Sequence, residues 1–219
     1  MDQQRFEQLW ARCALEGVDA SASASACFSE IDTRYSEPHR YYHRPVHIMH
    51  CLEQFDFARS QMEQPDRVEL AIWYHDVIYV CGDKDNELNS AELFKTHAQN
   101  QLSSELIDTV YELIMVTTHD KKLPATEDQA YVVDIDLSSF GLPWKKFLLD
   151  SKAVREEFKH LSNEEFYPGQ CRFFEMLLSR EHFCFTEFFR KRHESQAREN
   201  IERYIAQLRD QGCLPPKLQ

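Results

Sequence analysis

The chain has little glycine, no close pair of cysteines, no long apolar run and no excess of positive charge. Seven cysteines, at 13, 27, 51, 81, 171, 184 and 213, form no C-x-x-C pair, so the set reads as reduced thiols packed as small hydrophobes, which points to a cytoplasmic protein. No apolar run approaches a membrane span, and the opening Met1-Asp2-Gln3-Gln4-Arg5-Phe6-Glu7 is too polar for a secretory signal. A formal charge of −12 argues against sequence-blind binding to a nucleic-acid polymer or an anionic membrane. It leaves room for a small phosphorylated partner, because a metal and a few local cations reverse the field inside one pocket. No internal repeat is present. Residues 72–80 and 131–137 are rich in β-branched and aromatic side chains but lack the turn chemistry and partner runs that a sheet needs.

What is present is helical periodicity. Asp66-Arg67-Val68-Glu69 has the form of a capping box, opening a helix with Val68, Ala71, Ile72, His75 and Tyr79 on one face. Leu106, Ile107, Val110, Leu113, Ile114 and Thr117 give a second stripe, and Ala197, Ile201, Tyr204, Ile205 and Leu208 a third. The glycines at 17, 82, 141, 169 and 212 fall where apolar periods stop, as helix caps and turns do. Pro45, Pro65, Pro124, Pro143 and Pro168 fit helix starts or connections, while the Ser/Ala run 19–26 suits a loop or a loose helix start. At 219 residues the expectation is one all-α domain, a helical bundle with a site-bearing core over about 36–141 and C-terminal helices over about 143–212 packing on it.

The chemistry-bearing feature is His75-Asp76 in the apolar stretch Ala71–Tyr79. An imidazole beside a carboxylate is costly to bury unless something uses both, and a divalent metal does. Pro45 belongs in a first helical turn, which places His47 inside that helix near the stripe Ile48, Cys51, Leu52 and Phe55, and His43 just before it. On a helix through 131–140, Asp136 shares the face of Val132, Val133, Leu137 and Phe140, while Asp134 points to water, so Asp136 is the better ligand candidate. His119 ends the fourth helix, where the dipole alone favours a histidine. His97 has weaker grounds for a ligand role, His39 and His50 read as exposed and half-exposed, and His160, His182 and His193 read as surface residues.

These blocks resemble the HD superfamily of metal-dependent phosphohydrolases, and more closely a bacterial branch of it. They are Tyr42-His43-Arg44-Pro45-Val46-His47-Ile48, Trp73-Tyr74-His75-Asp76, Asn86-Glu87-Leu88-Asn89-Ser90-Ala91 and Asp136-Leu137, with Val154–Phe158 and Ala197–Asn200 further on. The resemblance implies an HD-type helical fold and a metal set of His47, His75, Asp76 and Asp136, with Asp76 also catalytic and Glu87 orienting water or supporting the ligands. The His43/His47 block is also similar to the His-Asn-x-x-His signature of cyclic nucleotide phosphodiesterases, which would make His43 the general acid. This chain has Arg44-Pro45 where that signature carries asparagine. The reaction implied is hydrolysis of a phosphate ester or anhydride of a small molecule, nucleotide foremost, by metal-activated water. The metal is Mn, Mg, Co, Ni, Zn or Fe, and Arg40, Arg44 and Lys84 are the candidate phosphate-binding cations. Two other classes compete. One is a di-iron HD oxygenase, with His119 and His97 holding a second metal or His119 touching substrate; the other is a catalytically silent nucleotide-binding or scaffold module.

Overall fold

The computed structural model describes residues 1–119 and 123–214. They form α1 (Gln3–Cys13), α2 (Ser21–Tyr35), α3 (Pro45–Ala58), α4 (Pro65–Tyr74), α5 (Asn86–Ala98), α6 (Ser104–Met115), α7 (Glu127–Leu137), α8 (Trp144–Glu157), α9 (Asn163–Ser179), α10 (Glu187–Phe189) and α11 (Ser195–Asp210), with short 3-10 and π turns between some of them. The fold is all-α, and no strand occurs among the described residues. No helix among them is long and apolar enough to cross a membrane.

The chain divides into two compact units, Met1–Asp136 and Leu137–Gln219. The first unit holds the site residues together with the first 35 residues of the chain. Its first 35 residues supply much of its core: Phe6 of α1 meets Trp73 of α4 edge-on at 5.4 Å, and Phe28 of α2 meets the same indole at 6.3 Å. Tyr35, fully buried, donates its hydroxyl to the Trp73 carbonyl at 3.2 Å. α4 thus packs against α1, α2, α3, α5 and α6, and its last residues, Trp73 and Tyr74, are fully buried.

Several local readings change. Residues 66–69 form no capping box: Pro65 occupies the first helical position, Gln64 is the N-cap with no side-chain bond, and Asp66 pairs with Arg12 and Arg59. Glu69 is buried and pairs with Arg5 Nε at 2.6 Å. α4 stops at Tyr74, so His75 is its C-cap and Tyr79 lies in the following loop, not on the helix face. α7 is buried on nearly every side: Tyr131, Val132, Val133, Asp134, Ile135 and Leu137 are all inaccessible. Asp134 is accordingly a buried acid, because the two-faced pattern assumed for this helix does not apply to one packed all round.

In the second unit, Phe140 gathers Phe147, Phe174 and Phe183 at 5.7–6.0 Å. Asn200 of α11 donates to the carbonyls of Phe140 and Leu142. Ala197, Ile201, Tyr204, Ile205 and Leu208 are buried, as their spacing predicts. Pro168 and Gly169, expected at a helix boundary, lie inside α9. His193, read as a surface residue, is buried in a π turn against Gly141, where a Cβ on residue 141 would stand 2.6 Å from that of His193. Burial holds its pKa below the ordinary histidine value, with the neighbouring Arg192 acting in the same direction.

A buried histidine–carboxylate centre

The N-terminal turn of α3, the C-terminal end of α4 and the end of α7 bring four side chains together. Arg44 is extended, as a residue before proline must be, and Pro45 starts α3, so His47 falls in its first turn and faces inward. His47 and His75 are buried, and their Nε2 atoms face each other at 3.3 Å. His75 is oriented by its other nitrogen, 3.0 Å from the Ile72 carbonyl, which leaves Nε2 for the centre. Asp76 Oδ2 lies 3.4 Å from His47 Nε2 and 3.0 Å from His75 Nε2, and Asp136 Oδ1 lies 3.3 and 3.5 Å from the same two atoms.

These separations test whether a metal fits. Donor atoms about 2.1 Å from a shared centre stand about 3.0 Å apart at a right angle and about 3.4 Å apart at the tetrahedral angle. The five distances, 3.0–3.5 Å, fall on those edges. Two neutral imidazoles and two carboxylates also form a donor set that divalent first-row ions accept. The residues present fit the group.

Cys51, one helical turn after His47, is fully buried and belongs to the cluster of His47, Cys51, His75 and Asp136 that could hold a metal. Its sulfur stands 3.9 Å from His47 Nδ1 and 3.7 Å from Nε2. A donor sharing a metal with Nε2 would be clearly farther from Nδ1, so the thiol lies against the ring rather than on the Nε2 axis. Sequence reading set Cys51 in an apolar stripe; its i+4 spacing from His47 was the signal that it meets the site.

The electrostatics match a charged, paired centre. Burial alone would raise the Asp76 carboxyl, but His75, His43 and His47 hold it well below the usual carboxylate range, and His119, His47 and His75 do the same for Asp136 against its own burial. Burial likewise pushes His47 and His75 down, yet their partners, led by Cys51 and Tyr42 for His47 and by Asp76 for His75, bring both well above the ordinary histidine value.

Around this centre the remaining candidates separate. His43 stands outside the donor set, its ring 6.1 Å from that of His47 and stacked on Tyr79 at 4.1 Å and 24°. His119 takes a left-handed backbone (φ 49°), and its Nε2 is 2.7 Å from Asp136 Oδ2, the carboxylate oxygen that does not face the other histidines. Glu87 is half-buried; burial, with Asp76 and Asp136 adding to it, raises its carboxyl above the usual value. Asn86 and Ser90, one helical turn apart on α5, pin the loop behind the centre. Asn86 accepts from Val80 N at 2.8 Å and donates to Val80 O at 3.0 Å, while Ser90 Oγ accepts from Ile78 N at 3.0 Å.

Four candidates lie elsewhere. Arg40 is not available to a phosphate: its side chain is fully buried and its guanidinium is committed to Glu37 and to the carbonyls of His43, Asp76 and Val77. His97 lies between Tyr74 Oη at 3.0 Å and Glu30 Oε2 at 3.2 Å, on the α2 side of α4 and away from the cluster. Arg44 and Lys84 are exposed, Lys84 in the loop that Asn86 closes. Lys121 and Lys122, which follow His119 in sequence, lie outside the described residues.

Fold and site together define an all-α protein with a cluster of His47, Cys51, His75 and Asp136 that could hold a metal ion. Comparison with protein-family models, with curated proteins and with solved structures finds no match to this chain.

Proposed function

We propose that the protein is a metal-dependent phosphohydrolase of the HD type, acting on a phosphate ester or anhydride of a small molecule, a nucleotide foremost. The observation that carries the reading is the combination of a two-histidine, two-carboxylate donor set with a third histidine, His43, held beside it but outside it. A ligand set alone suits many metalloproteins; a poised imidazole suits one that must protonate a leaving group.

A divalent ion held by His47, His75, Asp76 and Asp136 would acidify water and neutralise charge developing on a phosphoryl oxygen. The chain's own residues do the rest. His43, as imidazolium, delivers its proton to the departing oxygen, and the Tyr79 ring fixes the plane in which it does so. Glu87, whose carboxyl burial raises above its usual value, would orient the incoming water or support the ligands. His119 holds the outer oxygen of Asp136 and so turns its inner oxygen toward the histidines.

A panel of phosphomonoesters, phosphodiesters and nucleotides, run with manganese, magnesium, cobalt, nickel and zinc in turn, tests the reading. Turnover that chelation removes is expected. His75→Ala and Asp76→Ala should abolish metal binding, whereas His43→Ala should keep the metal and lose about 100-fold or more in kcat. Stoichiometric metal with no turnover of any substrate would overturn the reading in favour of a silent binding module.

A further inference from the structure

We propose that Arg40 is a positioning residue that sets the register between the proton-donating imidazole and the metal-ligand carboxylate; the inference rests on the phosphohydrolase reading. Its guanidinium donates from Nη1 to the carbonyls of His43 (3.1 Å) and Asp76 (2.7 Å), and from Nη2 to that of Val77 (2.8 Å). Nε donates to Glu37 at 3.1 Å. Two separate segments, the loop before α3 and the turn after α4, are thereby tied by one rigid planar group. The same guanidinium lies 5.6 Å from the centroid of the Tyr79 ring on which His43 stacks.

A buried cation that spends its donors on main-chain carbonyls contributes little to substrate recognition and a great deal to fixing backbone positions. Lysine has the charge and three donors but not the planar fork, so it cannot hold Glu37 and the three carbonyls in the geometry the guanidinium fixes. A shift of about 1 Å between an acid and its target costs about 100-fold in rate.

The test is Arg40→Lys, alone and combined with His43→Ala, on the manganese-loaded protein with two substrates. p-Nitrophenyl phosphate has a leaving group that needs no acid, and an alkyl phosphate has one that does. Arg40→Lys should lower kcat for the alkyl ester about 10- to 100-fold, change KM little and affect the nitrophenyl ester far less. In the His43→Ala background the added loss should vanish. As a readout independent of turnover, the His43 ring proton resonances of the metal-free protein should move toward those of free histidine, as the Tyr79 stack loosens. Equal loss on both substrates, or additivity with His43→Ala, would overturn the proposal. If His43→Ala itself had no effect, the phosphohydrolase reading would fail instead. Should Arg40→Lys not fold, Glu37→Gln perturbs the same guanidinium through Nε and should give a smaller loss with the same leaving-group dependence; no such dependence overturns the proposal equally.

Discussion

At the scale of single residues, the centre is a problem of proton occupancy. His47 and His75 point their Nε2 atoms at one another and at two carboxylates, and their pKa values stand well above 6.5, their ordinary value. Asp76 and Asp136 stand well below 3.8. In the metal-free centre these shifts favour imidazolium against carboxylate. The histidines' contribution to stability is complete below pH 6.5 and fades as pH rises through their raised values; the carboxylates' contribution is complete above pH 3.8 and fades as pH falls through their lowered values. A metal needs the imidazoles unprotonated. Metal binding at pH 7 should thus release protons and weaken as pH falls, which titration calorimetry in buffers of different ionisation enthalpy measures directly. Binding without proton release would show that the histidines are already neutral and that the pairing described above is wrong.

At the scale of elements, α5 explains why an Asn-Glu-x-x-Ser-Ala block belongs to this site although it supplies none of the four ligands. Its first residue closes the 80–86 loop, its fifth holds Ile78 N, and its second, Glu87, feels the charge of Asp76 and Asp136. Asn86→Ala takes its side-chain partner from the Val80 amide and leaves the Val80 carbonyl with Asp83 N alone, at a cost of about 1 kcal/mol in urea unfolding. On the proposed ligand set it should also weaken metal binding about 10-fold, because Asp76 sits at the start of the chain that this loop anchors. A stability loss with unchanged metal affinity would mean that loop and centre are uncoupled. The sequence made this much legible because the site is carried by short blocks: proline placed His47, and the His-Asp pair declared itself by the cost of burying it. Asp136 was chosen for a reason that did not hold. Helical spacing predicts a wet face at Asp134, yet Asp134 is buried, since α7 is packed on both faces through residues 131–135. Where a helix ends was equally hidden: nothing in the apolar run 71–79 announces that α4 stops at Tyr74, and that stop is what lets Asp76 turn back toward His75. Arg40 looked like any loop cation because a sequence does not reveal which carbonyls lack partners.

At the scale of the whole molecule, charge is divided unevenly. Residues 1–136 carry 25 acidic and 11 basic side chains, a formal −14, whereas 137–219 carry 12 and 14, a formal +2. The acidic unit is the one that holds the centre, and with Arg40 committed to main-chain carbonyls it has one fewer cation to offer an anionic substrate. The unit's field then attracts a divalent metal and repels a phosphate dianion on approach. Salt screens both effects, since the Debye length shrinks from about 30 Å at 0.01 M to about 10 Å at 0.1 M. On the proposed phosphohydrolase reading, raising ionic strength over that range should therefore increase kcat/KM for a dianionic phosphomonoester about 2- to 10-fold and weaken metal binding, while kcat at saturating metal and substrate stays constant. A series of Michaelis–Menten measurements at fixed free manganese in sodium chloride checks this. A fall in kcat/KM with salt would mean that local cations steer the substrate and outweigh the unit's net charge, and Arg44→Ala and Lys84→Ala would then identify which of the two exposed cations does so.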